Sequence, residues 1–362
     1  MRVVVAVLFV STLSLRASQD PYLILSAPRW TNGQLQFVLA GEANVSYTIE
    51  GSSNLVTWLP LATNNVTNVT RLINVLPVGE NGFYRASRAP IPLRGFALAA
   101  RQGIYLKGNS ILIDSYDSSD PNYSTGGRYD PGKAKDNGNM AVTNTAQNSL
   151  NVGNAEVIGR VYVPDFDVIQ IGPNGSVGSF SWVDGGMKGI EPGRAIQERY
   201  YFGWPDVSDP SPSGTVPSGG NIGGTNYQYI LTFGTYAVSS LTGNLLVQES
   251  ASATLLVTDT LHGNIYMASG ATLRLYAGAA SATLSTIVNS GTPANFQYYG
   301  LPGNTNLTCT STEHVGTIYA PNAAIHFGVT QFEGACLAMS VEANGAFRFH
   351  CDEYLTGTGG TR

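Results

Sequence analysis

Gly243-Asn244-Leu245-Leu246 returns as Gly263-Asn264-Ile265-Tyr266 twenty residues on, then as Gly316-Thr317-Ile318-Tyr319, and as Gly334-Ala335-Cys336-Leu337 eighteen residues after that. A repeat of 18 to 20 residues is too short for a domain and too regular for loops. It holds two or three short strands with their turns, which is one coil of a parallel β-helix covering the apolar face of its neighbour. Ala253-Thr254-Leu255, Ala271-Thr272-Leu273 and Ala282-Thr283-Leu284 form a second recurring trio. Stacked coils place equivalent residues above one another, so Ile265, Ile318 and Cys336 are expected inside, with Thr and Asn in outer or turn ladders. A β-sandwich competes, because Asn344-Gly345 suits a hairpin turn. The solenoid is preferred because Gly and small residues recur along with the apolar ones. Val315 to Asp352 then reads as the last coils, with Phe349-His350-Cys351-Asp352-Glu353 as a polar cap that blocks further stacking.

Composition agrees with a turn-rich all-β chain. Only 12% of the 362 residues are charged, and 42 are Gly, so helices would find few charge pairs to support them. A net charge of -5 is mild for this length and argues against binding nucleic acid or anionic lipid. No Lys follows Lys188, which excludes a lysine Schiff base or phosphate cradle from the stretch beyond it. The start, Arg2, an apolar run from Val3 to Leu15, then Ala17 and Ser18, reads as a secretory signal peptide over residues 1–18. No later apolar run is long enough for a membrane span. The mature chain is therefore expected to be secreted or held at the cell surface. Cys309, Cys336 and Cys351 could pair once after export, but they read better as small apolar residues buried inside coils. No CxxC pair suggests zinc.

The expected fold is all-β: a right-handed parallel β-helix (solenoid) preceded by a small β-sandwich. The sandwich occupies residues 20–88, where Leu35, Phe37 and Leu39 alternate after Asn32-Gly33 and Val45, Tyr47 and Ile49 alternate again. Trp58 is its candidate core anchor. Residues 89–95 form a linker stiffened by Pro90 and Pro92. The solenoid fills 96–355, with irregular excursions near 116–139 and 184–226, and 356–362 is a tail. A brief helix is expected around Arg194 to Arg199.

Two resemblances sharpen this reading. Ser52-Ser53-Asn54-Leu55-Val56-Thr57-Trp58 with Phe83-Tyr84-Arg85 resembles a short immunoglobulin-like module of secreted bacterial proteins, which implies a spacer or stalk. The ordered set Asp114-Ser115-Tyr116-Asp117-Ser118, Val152-Gly153-Asn154-Ala155, Gly172-Pro173-Asn174-Gly175, Tyr319-Ala320-Pro321-Asn322-Ala323 and Phe349-His350-Cys351-Asp352-Glu353 resembles a family of exported bacterial domains of unknown function, over residues 96 to 355. The resemblance implies an extracellular β-solenoid without an established activity. Cys351 departs from the pattern, where Tyr is usual.

Catalytic signals are thin. Asp114, Asp117 and Asp120 are spaced where a strand enters a loop, and oxygen ligands there could hold Ca2+. Their spacing is not DxDxDG, and Asp in turns more often accepts local backbone N–H bonds. A metal at His350 would need ligands from His314, His326 or Glu313. A polysaccharide lyase or hydrolase needs paired carboxylates or a basic residue in a cleft, and neither pairing is evident. Glu191, Arg194, Glu198 and Arg199 read as an ion-paired loop. Tyr116, Tyr123, Tyr129, Tyr200, Tyr201, Phe202 and Trp204 sit in the excursions, where they either stack on sugars or pin the loops to the solenoid. The function expected is structural or adhesive and non-catalytic, with a glycan-binding module or a polysaccharide-active enzyme as alternatives. An extracellular polysaccharide or cell-envelope component is the expected partner, and self-assembly through solenoid ends is a further option.

Overall fold

The computed structural model describes residues 6–7, 24–31, 33–40, 45–53, 59–66, 70–75, 82–88, 95–197, 204–210 and 215–356. The chain divides into two units, Met1–Ile91 and Pro92–Arg362.

The first unit is built from two sheets. Gln34–Ala40 lies between Ile24–Thr31 and Thr70–Val75 in an antiparallel sheet. Val45–Ser52 lies between Leu59–Val66 and Phe83–Arg88 in the other, with Ala6–Val7 added parallel to Phe83–Tyr84. Period-two alternation sends Leu35, Phe37 and Leu39 to one face, and all three are buried. Phe37 meets Tyr84 of the other sheet with ring centroids 5.1 Å apart, so the two sheets share a core. Trp58 and residues 89–94 lie outside the described residues, as do all of residues 1–18 except Ala6 and Val7.

The second unit is a stack of parallel coils, each giving up to three short strands to three faces. Gly316 pairs with Gly334 and Ile318 with Cys336, and Asn244 pairs with Asn264 and Leu245 with Ile265, so the repeat read from sequence holds in space within each of these two pairs and not between them. A Cβ on Gly334 would lie 1.9 Å from the Gly316 carbonyl oxygen, and its φ of +142 suits only Gly, which explains why the repeat is led by Gly. Ile265, Ile318 and Cys336 are all buried inside, although Ile265 lies on a different face from the other two. Asn264 Nδ2 donates to Asn244 Oδ1 at 2.9 Å, one rung of the expected Asn ladder. The Ala-Thr-Leu trio is not a structural repeat: Ala253 pairs with Leu273, and Ala282 pairs with Leu261 on another face. Asn344-Gly345 makes no hairpin, since the strands on either side of it, Gln331–Ala343 and Arg348–Asp352, pair in parallel. The three cysteines are free and buried, as small core residues. Where a helix was expected from Arg194, Ala195–Gln197 is instead a strand beside Val161–Val163. Arg199 lies outside the described residues.

Order along the stack departs from order along the chain. From Tyr229–Leu231 the coils climb through Ser252–Met267, Ser281–Asn289, Glu313–Phe327 and Gln331–Ala343 to Arg348–Asp352. The stack does not end there. Leu98–Leu106 pairs along Cys336–Ala343, and Leu112–Tyr116 pairs along Arg348–Asp352. Met140–Val142 and Leu150–Gly153 stack on Leu98–Leu106, and the coils continue to Val161–Val163, Ser176–Gly178 and Gly189–Ile190. The chain thus enters mid-stack, winds to one end, returns, and winds from the other end back to its entry point. Part of the return is seen on one flank, where Tyr319 donates to the Pro205 carbonyl (2.8 Å) and Asn322 Nδ2 to Asp206 Oδ1 (2.8 Å).

Phe349-His350-Cys351-Asp352-Glu353 is therefore not an end cap, which corrects the sequence-based expectation. A cap leaves one side unpaired; Phe349 has a paired strand on each side. Inside the stack, Phe349 lies on Phe332 (4.5 Å, 11°), and Phe332 lies on His314 (4.4 Å, 9°). Truncating a fully buried aromatic in mid-core costs about 3–5 kcal/mol. Phe349→Ala should show that loss in urea unfolding, whereas a cap position would lose a fraction of it.

Candidate functional site

Glu333, His350 and Asp114 stand in register on three successive coils, Glu333 opposite His350 and His350 opposite Asp114. Their strand neighbours Phe332, Phe349 and Ile113 point into the core, so alternation points these three outward. Yet all three are buried. The excursion that begins after Tyr116 folds across them as a lid.

Two adjacent lid residues make the closure. The Tyr129 ring stacks on His350 at 3.4 Å and 13°. Its hydroxyl donates to Asp114 Oδ2 at 2.7 Å, and its backbone N–H donates to Glu333 Oε2 at 3.2 Å. Arg128 forks onto Glu333, with Nε to Oε2 at 2.8 Å and Nη2 to Oε1 at 3.0 Å, and also meets Glu313. That two-point geometry is the strong form of a charge-assisted pair. His350 Nδ1 lies 2.5 Å from Asp114 Oδ1, and a carboxylate there holds the proton on Nδ1. Tyr116 closes the group, its hydroxyl 3.2 Å from Glu333 Oε2.

The end of the motif fastens the rest of the lid. Asp352 accepts from the Ser118 N–H (3.0 Å), the Ser118 hydroxyl (2.7 Å) and the Tyr354 N–H (3.2 Å). Glu353 accepts from Ser115 Oγ (2.8 Å), Asn137 Nδ2 (2.9 Å) and Lys135 Nζ (2.5 Å). Burial pushes the Asp352 carboxyl up to about 6, against the pull of its three donors. Burial also works against the Glu333 carboxylate, but the Arg128 bonds and charge outweigh it and hold Glu333 below its usual range. The hydroxyls of Tyr116 and Tyr129 are pushed up, chiefly by burial and then by neighbouring carboxylates. Each of these groups already has a partner in the chain, and the arrangement is a fastening for the lid.

The candidate Ca2+ residues go separate ways. Asp114 holds His350 and Tyr129, Asp117 Oδ1 accepts from the Ser119 N–H and hydroxyl, and Asp120 Oδ1 accepts from the Asn122 N–H and side-chain amide. Among the described residues no group of three or more His, Cys, Asp or Glu is placed to hold a metal. His326 is exposed on another face. His314 points into the core beside Phe332, with no hydrogen-bond partner on either ring nitrogen, and burial pushes its pKa down to about 3. Arg194 is ion-paired with Asp136 (2.8 Å) and Glu191 (3.3 Å), as the charged-loop reading expected; Glu198 and Arg199 lie outside the described residues. Among the loop aromatics, Tyr116 and Tyr129 pin the lid, Trp204 packs on the flank beside Tyr319, and Tyr123 is 40% exposed. Tyr200, Tyr201 and Phe202 lie outside the described residues. Arg128 and Glu333 escaped the sequence reading, although a Glu set between Phe332 and the small apolar run 334–339 is a signal in a chain so poor in charge.

These features define a parallel β-solenoid with a covered polar ladder. Residues 212–358 match the family model of a domain of unknown function, DUF7305. No curated protein matches the chain. Among solved structures, the chain is similar to the DUF3494 domain of Shewanella frigidimarina ice-binding protein 1, at 15% identity over 71% of this chain and 94% of that one, with a TM-score of 0.28. A likeness at that level carries nothing about function. No helix among the described residues is long and apolar enough to cross a membrane.

Two substitutions test the electrostatics. Arg128→Met leaves Glu333 buried without its counter-charge, and breaking a buried pair in this way costs about 3–5 kcal/mol; Arg128→Met with Glu333→Gln should recover most of that in urea melts. His314→Phe removes two unpaired buried nitrogens, worth about 1–3 kcal/mol. The folded-state pKa of His314 is depressed, so the folded chain binds fewer protons than the unfolded chain between about 3 and 6.5. Stability is therefore lost as pH falls through that window. His314→Phe should melt later and show a flatter stability profile over the same pH range.

Proposed function

We propose that this chain is a non-catalytic protein of structural or adhesive role, secreted or held at the cell surface. In this reading an immunoglobulin-like N-terminal module acts as a spacer, and the β-helix is right-handed, as parallel crossover connections nearly always are. The observation that carries the proposal is a division of labour among side chains. The acid–base groups that converge are buried under the lid with intrachain partners. A different face presents short polar side chains in register, Ser281 beside Asn306 in one column and Thr283 beside Thr308 in the next, with Ala324 and His326 following on the next coil. Rows repeating at the inter-strand spacing of about 4.8 Å suit contact with an extended, repetitive surface better than turnover of a small substrate. The signal peptide expected over residues 1–18 and the resemblance to exported domains support this reading of location.

A panel of insoluble and soluble polysaccharides incubated with the purified chain tests this. Retention without new reducing or unsaturated chain ends is the expected result. Appearance of new ends would replace the proposal with a polysaccharide-active enzyme.

A further inference from the structure

The strand end 285–289 with Ser290, and the connection 310–312 with the strand start 313–315 of the next coil, leave a cleft of about 480 Å³ at the edge of the lid, next to Arg128. We propose that this cleft binds a neutral glycan. The inference rests on the adhesive reading and names the class of surface it engages.

The wall chemistry selects the ligand. Thr286, Ser290, Thr310 and Thr312 supply hydroxyls, each able to donate and accept, which matches the hydroxyls of a sugar. Ser311 Oγ is buried at the wall and has no hydrogen-bond partner. Val288, 46% exposed, offers an apolar patch for the C–H face of a pyranose ring. Charge is balanced at the cleft. Arg128 is the only cation in the lining and is held by Glu333 and by Glu313, the only carboxylate there. An anion therefore meets no free positive group, and a divalent cation meets one carboxylate already paired. A mainly hydrocarbon ligand would strip water from the hydroxyls without replacing their bonds. The volume lies within the roughly 300–1,000 Å³ of ordinary ligand pockets.

Ser290 and Thr312 are exposed on the cleft, so bulk can be added there without entering the core. The test is affinity electrophoresis of the full chain in gels containing neutral polysaccharides (β-glucan, mannan, starch) or anionic ones (alginate, pectate), with thermal melts of every variant. The expected result is retardation by at least one neutral polysaccharide, weakened at least tenfold in Ser290→Trp and Thr312→Trp. Thr312→Val, which puts a methyl in place of the hydroxyl, should weaken it measurably; Thr308→Trp on the open array should weaken it less than the cleft variants, and Thr258→Trp, exposed and outside both cleft and array, should leave it unchanged. Retardation insensitive to the cleft variants, or abolished only by Thr308→Trp, overturns the cleft while leaving the adhesive reading in place. Retardation by anionic polysaccharides alone, or by none of the panel, also overturns the neutral-glycan cleft. The adhesive reading fails separately, on the release of new chain ends.

Discussion

Everything in the second unit depends on one backbone seam, the parallel pairing of Cys336–Ala343 and Arg348–Asp352 with Leu98–Leu106 and Leu112–Tyr116. Unpaired backbone groups are costly when buried, so each inner coil needs a neighbour on both sides. A parallel edge is indifferent to which coil fills that place, because the bonds are the same for any sequence. Side chains must therefore decide. The polar ladder crosses this seam: Glu333 and His350 come from one side, and Asp114 and the lid residues Arg128 and Tyr129 from the other. Any other pairing would leave a buried carboxylate without its partner. The ladder thus selects the seam, and the seam builds the stack.

This gives the short motif at the C-terminal end a different meaning. Its polar residues suggest an exposed terminus or a metal site when read in isolation. In the fold they face in turn the Asp114 carboxylate, the core, Ser118, and Ser115 with Lys135. The DUF7305 match at 212–358 holds Glu333, His350, Asp352 and Glu353, while Asp114, Arg128 and Tyr129 lie outside it. The matched stretch accordingly carries half of the fastening, and the coils before it carry the other half.

Local rules made part of this visible in the sequence. Gly316 and Gly334 mark the coil repeat because each must pass within touching distance of the next backbone, and Leu35, Phe37 and Leu39 mark a half-buried strand by alternation. The cysteines read as small core residues for the same local reason. Stack order was not legible, because strand propensity and Gly spacing are identical whether a coil's neighbour is next in sequence or more than two hundred residues away. The Ala-Thr-Leu trio misled because common strand residues recur by composition, out of register on one face and again on another. Arg128 was hidden in a polar excursion whose burial comes only from the fold.

The order of coils is the central claim, and paired-cysteine cross-linking tests it most directly. Tyr105 and Glu342 are register partners on outward positions across the seam. Winding that followed the chain without a break would instead bring the strand at Ile196 beside the strand at Ala237. Oxidation of a Tyr105→Cys, Glu342→Cys chain should give a 105–342 linked peptide by mass spectrometry, and an Ile196→Cys, Ala237→Cys chain should give none. A 196–237 link without a 105–342 link would contradict the mid-stack entry and the account built on it.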